Sequence, residues 1–195
     1  PLTELPNRVL FNDRLEQGIV AARRTGQSLA LLFIDLDRFK YINDSLGHDV
    51  GDRLLKVIAS RVTDCVRASD TAARLGGDEF TFILYDISAP EDAARVAHKI
   101  LDAIAEPVSI DSTELHITAS AGISMFPSDG EEIETMIRNA DMAMYRAKAA
   151  GRNNYQFYLP SMNERAMQRM DMEHRLRLAM DRGWRGSACM RASDH

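Results

Sequence analysis

The segment Ser28 to Asp37, SLALLFIDLD, constrains the fold more than any other. Its apolar residues run without a break from Leu29 to Ile34 and stop abruptly at Asp35. A short, continuously apolar run is the pattern of a strand covered on both faces, which requires helices packed above and below a central sheet. The rest of the chain supplies those layers. Val9, Leu10, Ile19 and Val20 recur at roughly helical spacing before Gly26, a helix stop. Asp49 to Val66 reads as a helix with Leu54, Leu55, Val57, Ile58 and Val62 on one side. TAARL and EFTFILYD, separated by Gly76, Gly77 and Asp78, read as a β-hairpin. Residues 90–105 and 131–149 read as helices, LHITASAGISMF as a strand with a small-residue interruption, and NYQFYL as a last strand. The order predicts an α+β sandwich, with a ferredoxin-like βαββαβ core.

Composition narrows the function classes. The formal net charge is -5, which argues against general nucleic-acid or membrane-surface binding. Two cysteines, Cys65 and Cys189, suggest a reducing compartment without a disulfide framework. No Cys/His cluster has zinc spacing, and no apolar run reaches the length of a membrane span. The expected location is cytoplasmic. The start at Pro1 suggests an excised piece, so the parent protein can still be membrane-anchored.

The acidic residues carry the chemistry. A carboxylate at the end of a buried strand is costly to desolvate. Asp35 stands there, and Asp37 follows on the same side of an extended chain. Asp78 and Glu79 occupy the hairpin tip. Pairing of the two strands brings Asp35 and Asp78 together, and a hard cation such as Mg²⁺ relieves the repulsion. Taken singly, Asp35 and Asp37 also suit a helix cap and Asp78 a turn.

The flanking residues shift that balance. RLGGDEF, Arg74 to Phe80, is the signature of the GGDEF family. FIDLDRFKYINDSLGHDVGD, Phe33 to Asp52, resembles the family block F-x-D-x-D-x-F-K-x-x-N-D-x-x-G-H-x-x-G-D. LTELPNR, SAGIS and AMYRAKAAGRN resemble its other blocks, in order, across residues 1 to about 158. The resemblance implies a fold similar to nucleotide cyclases and polymerase palms, with a central, mostly antiparallel sheet of about five strands. It implies a diguanylate cyclase that condenses two GTP into cyclic di-GMP with release of two pyrophosphates. Each subunit of a homodimer would hold one GTP.

Carried over position by position, the resemblance makes Asp35, the backbone carbonyl of Leu36 and Asp78 the ligands of Mg²⁺, with Mn²⁺ as the alternative. Asp78 and Glu79 become the catalytic carboxylates, with Asp78 near the 3′-hydroxyl. Asn43 and Asp52 correspond to the guanine-binding pair. Phe39 and Lys40 open a helix whose free N–H groups favour phosphate. Arg74, Gly77, Lys148 and Arg152 complete the GTP-binding set, with Lys148 and Arg152 expected four apart on one helix face. A C-terminal helix cation pair is the plainer account of those two. His48 reads as a structural turn histidine. Arg67 and Asp70, an R-x-x-D five residues before the motif, correspond to the family's inhibitory product site, and Arg95 is a candidate second arginine.

Residues 1–158 are thus expected to form the cyclase domain and 159–183 a helical linker. That linker resembles the connection to an EAL phosphodiesterase domain, which is absent here. Residues 184–195 are expected to be a disordered tail. Linked EAL and N-terminal sensor domains are the expected partners in the parent. The alternatives are a silent GTP-binding regulatory module and a cyclic di-GMP receptor.

Overall fold

The computed structural model describes residues 2–111 and 113–162. The expected linker helix and tail, with Cys189, therefore lie almost wholly outside the described residues. Residues 1–158 form one compact unit.

Helix α1 (Arg8–Thr25) starts where Asn7 accepts the Leu10 N–H through its side chain at 3.1 Å, and ends at Gly26, whose φ is 71°. It buries Phe11, Leu15, Gly18, Ile19 and Ala22. Val9, Leu10 and Val20, which the spacing placed with Ile19, are exposed instead. The face that packs is the one spaced four, three and four apart from Phe11, and it excludes all three.

Strand β1 (Ser28–Leu36) follows, then α2 (Phe39–Leu46) and α3 (His48–Thr63). The predicted helix from Asp49 to Val66 thus starts one residue early and ends three residues early. A separate short helix precedes it, because Gly47, at φ 89°, breaks the path between them. His48 is the first residue of α3. Cys65, just past that helix, is 9% exposed and packs as a core residue.

Strands β2 (Thr71–Gly76) and β3 (Glu79–Ile87) form the predicted hairpin, and α4 (Pro90–Ala105) the predicted helix. Asp92 accepts the Ala89 N–H at 3.2 Å, capping α4 from its third residue. A small hairpin, β4 (Val108–Ile110) with β5 (Thr113–Leu115), was not anticipated. It splits LHITASAGISMF, so that the long strand β6 runs only over Ala119–Phe126. Helix α5 (Ile133–Ala149) and β7 (Tyr155–Phe157) complete the unit.

The main sheet has the order β2-β3-β1-β6-β7. β1 is antiparallel to both β3 and β6, β2 is antiparallel to β3, and β7 is parallel to β6. The first four strands have the ferredoxin-like arrangement. β1 sits at the centre, which explains its unbroken apolar run. Its Ala30, Leu32, Ile34 and Leu36 face one core with residues of α3 and α4, while Leu29, Leu31 and Phe33 face the other with α1 and α5. Alternation then puts Asp35 on the α1/α5 side, at the end of the central strand.

Candidate active site

The register of β1 and β3 sets Asp35 directly opposite Glu79. Cross-strand partners have neighbouring side chains, and like charges there repel. The hairpin tip adds Asp78, whose carbonyl accepts the Leu36 N–H at 3.2 Å. That bond ties the tip to the end of β1. The tip itself requires glycine: Gly76 and Gly77 have φ of 149° and 53°.

Burial pushes the Asp35 carboxyl above its ordinary range; Lys148 opposes this, and the charges of Asp78 and Asp37 add to it. Glu79 is raised in the same way, first by burial and then by Asp35, Asp141 and Asp78, with Arg8 opposing. The Lys148 ammonium lies 2.8 Å from Asp35 Oδ1, and both side chains are mostly buried. The site therefore concentrates negative charge in a half-buried position and already holds one cationic group against it.

Among the described residues, no three His, Cys, Asp or Glu side chains gather as a cation-binding cluster. Two carboxylates with one backbone carbonyl is the smaller donor set that suits Mg²⁺, which keeps waters and shares substrate phosphates. Asp35, Asp78 and the Leu36 carbonyl are the all-oxygen donors that ion takes, and a divalent cation there would offset the burial that pushes the Asp35 carboxyl up, along with the smaller repulsion from Asp78 and Asp37.

The other expected residues lie on α2, α3, the hairpin, the turn after α5 and the far end of β3. Phe39 is 6% exposed and anchors α2, so only its backbone is available to an anion, beside the exposed Lys40. Asn43 and Asp52 stand on the adjoining helices α2 and α3. The Asn43 side-chain oxygen is buried without a hydrogen-bond partner, and it lies where a β-carbon on Gly51 would be. Gly51 thus makes room for Asn43, and Asn43 keeps one acceptor unspent.

Arg74 turns inward on the hairpin. Its Nε and a terminal nitrogen donate to the Gly77 carbonyl at 3.0 and 2.6 Å, so it braces the tip that carries Asp78. Arg152 departs from its expected place. α5 ends at Ala149, and Gly151, Arg152 and Asn153 all have positive φ. Arg152 therefore lies in a turn beyond the helix, not one helical face along from Lys148. Gly151, at φ 117°, ends the helical spacing before Arg152 is reached.

Asp141 goes unassigned in the sequence, and Asp37 reads there only as a neighbour of Asp35 or a helix cap. Asp141 has its carboxyl raised by burial, with Lys148 opposing, and its charge acts on Glu79. It stands seven residues before Lys148 on α5, two turns along the same face, which is the signal that could have found it. Asp37, 7% exposed, points into the structure as an acceptor.

At the far end of β3, Arg67, Asp70, Tyr85, Arg95 and Lys99 help line a cleft of about 730 Å³. Asp70 accepts the N–H groups of Arg67 at 3.0 Å and Tyr85 at 3.2 Å, which fixes its orientation. Arg95 pairs with Asp92 at 2.9 Å.

No helix among the described residues is long and apolar enough to cross a membrane. The profile of the family "Diguanylate cyclase, GGDEF domain" matches residues 1–154. The chain is 48% identical over 181 residues to the bifunctional diguanylate cyclase/cyclic di-GMP phosphodiesterase MucR of Pseudomonas aeruginosa, covering 93% of this chain and 26% of that protein. It is 43% identical over 179 residues to the cyclic di-GMP phosphodiesterase NbdA of the same organism, covering 92% of this chain and 23% of that protein. The chain thus spans about a quarter of the length of these relatives. The solved GGDEF domain of TpbB from Pseudomonas aeruginosa superposes with a TM-score of 0.83 at 39% identity, covering 86% of this chain and 97% of that one. With the strand order, the hairpin-borne Asp78-Glu79 and these matches together, the chain belongs to the GGDEF family of diguanylate cyclase domains.

Proposed function

We propose that this chain condenses two GTP into cyclic di-GMP with release of two pyrophosphates, one GTP held by each of two facing subunits. The observation that carries the reading is the junction of Asp35 with the hairpin tip, with Lys148 beside it. In each half-reaction a 3′-oxygen bonds to the α-phosphorus of the other nucleotide. The bond from that phosphorus to the pyrophosphate oxygen breaks, and the hydroxyl proton leaves. Magnesium, when bound, supplies neutralisation of the transferring phosphates. The chain's own residues bind and orient. Lys148, Arg152, Lys40 and the first turn of α2 face phosphate charge. The unspent Asn43 acceptor and the Asp52 carboxylate suit the donor edge of guanine, and adenine lacks the matching N1–H and 2-amino pair. Glu79, its acidity weakened by burial, is a better proton acceptor than an ordinary carboxylate.

The test is turnover. Purified protein with GTP and MgCl₂ is expected to yield cyclic di-GMP by chromatography, with the rate per subunit rising with protein concentration. A demonstrably dimeric protein that makes none would favour the second reading, a GTP-binding regulatory module. That reading draws on the likeness to NbdA, named for phosphodiesterase activity.

The reading extends to product inhibition through the cleft holding Arg67 and Asp70. Arg67→Ala removes a cation able to make charge-assisted bonds to phosphate or guanine. The half-inhibitory concentration of cyclic di-GMP is expected to rise at least about tenfold, or ~1.4 kcal/mol. Unchanged inhibition would remove the cleft from the mechanism.

A further inference from the structure

Asp35 and Asp37 are two residues apart and invite one role, yet the structure gives them different surroundings. Asp35 is turned to the charged end of the sheet. Asp37 accepts three hydrogen bonds: from Thr118 Oγ1 at 2.8 Å, from Ser120 Oγ at 2.8 Å and from the Asn153 backbone N–H at 3.2 Å. Arg152 Nε lies 3.9 Å from its Oδ1. The Asp37 side chain is 4% exposed, and that of Arg152 is 48% exposed.

The turn it grips is an unusual one. Gly151, Arg152 and Asn153 have φ of 117°, 66° and 49° in succession. Two consecutive side-chain-bearing residues in the left-handed region are held only where the surroundings over-determine them. Asn154 supplies one restraint by donating to the carbonyls of Ala147 and Arg152 at 2.9 and 2.8 Å. β6 supplies another, since the Ala121 N–H donates to the Asn154 carbonyl at 3.0 Å. Asp37 supplies the restraint that reaches the strand end where Asp35 stands.

We infer that Asp37 is a positioning residue, not a metal ligand: it fastens the 151–153 turn to the end of β1 and aims Arg152 at the phosphates of the nucleotide. The inference rests on the cyclase reading for the identity of that nucleotide. Asp37 joins three places far apart in sequence, namely the end of β1, the start of β6 and the turn after α5. One carboxylate thereby sets the distance between the acidic strand end and the basic turn. Its oxygens are occupied by neutral donors, whereas a metal ligand keeps a lone pair facing the open site.

Asp37→Asn separates the two roles. An amide oxygen on the Thr118 and Asn153 side keeps both of those bonds, and the amide NH₂ can donate to the Ser120 hydroxyl. The negative charge facing Arg152 is lost, and an N–H donor stands in place of its acceptor. Steady-state turnover should show KM for GTP raised about tenfold with kcat within about threefold of wild type, the split expected for lost substrate binding. Arg152→Ala alone and the double variant should have equal KM, because the charge acts through Arg152. Isothermal titration with a GTP analogue carrying a methylene α–β bridge gives the same comparison as Kd, without turnover. A Kd unchanged in Asp37→Asn, or a kcat that collapses while KM holds, would overturn the positioning role while leaving the cyclase intact. Wild type that binds the analogue but makes no product would remove the cyclase reading alone, and the Kd comparison would still decide the role of Asp37. Wild type that neither binds the analogue nor makes product would sink both.

Discussion

Asp35→Asn is expected to lower cyclic di-GMP formation by at least ~10³-fold, about 4 kcal/mol of transition-state stabilisation, and at the same time to make the metal-free protein more stable. The first effect follows from removing one of the two carboxylates that fit the cation. The second follows from burial. The Asp35 carboxyl is raised because its desolvation outweighs the help of Lys148. A raised folded-state pKa means the ionised form is disfavoured by folding, so the cost is absent in acid and grows as pH rises past the unfolded value of 3.8. An uncharged asparagine avoids it. Thermal melts without divalent ions should therefore place the variant above wild type at neutral pH, with the gap closing in strong acid. Added MgCl₂ should narrow the gap by stabilising wild type alone. A variant that melts lower at neutral pH would contradict the charge-crowded picture of the site, whatever its activity.

Gly122→Ala should be the most destabilising single change among the glycines of the sheet. Gly122 is at the middle of β6, paired with Phe33 and Gln156. A β-carbon there would meet the Ala140 carbonyl and the Met144 backbone nitrogen inside van der Waals distance. Those atoms belong to α5 itself and not to a side chain that can swing aside. The helix must lift off the sheet to admit one methyl group, at an expected cost of about 3 kcal/mol or more. Against a total stability of roughly 5–15 kcal/mol, this loss is large. Urea denaturation followed by circular dichroism gives the difference directly. Because α5 carries Lys148, a folded fraction should also lose the Lys148–Asp35 contact, and its activity should fall further than its stability predicts. A midpoint within error of wild type would show that α5 does not press on the sheet as described.

The parts of this structure that were legible in the sequence are those with a strong local signal. The unbroken apolar run announced β1 as a central strand, and the Gly76-Gly77-Asp78 break announced the hairpin. Together they implied the meeting of Asp35 with the acidic tip. What escaped was decided by tertiary contacts or by very short elements. The β4–β5 hairpin has three residues per strand, too few to show a period. The α2–α3 break depends on one backbone angle at Gly47. Arg74 has the charge of a phosphate ligand, but its brace on the Gly77 carbonyl through Nε and one terminal nitrogen is a contact made only once the hairpin has closed. Asp37 looked like a partner of Asp35 because two-residue spacing puts side chains on one side of a strand. The strand ends at Leu36, so the rule no longer applies there.

Strand β3 connects the two regions that matter. Glu79 is its first residue, and Tyr85, whose N–H holds Asp70, is six residues along. At about 3.3 Å per residue the separation is roughly 20 Å. The strand between is buried on both faces and paired along both edges, so it behaves as a stiff rod with little capacity to flex. A small molecule lodged beside Arg67 is too far from the acidic tip to touch it directly. Under the product inhibition proposed above, a ligand in that cleft would act on quaternary arrangement, by deciding whether two nucleotide-loaded copies are allowed to meet face to face.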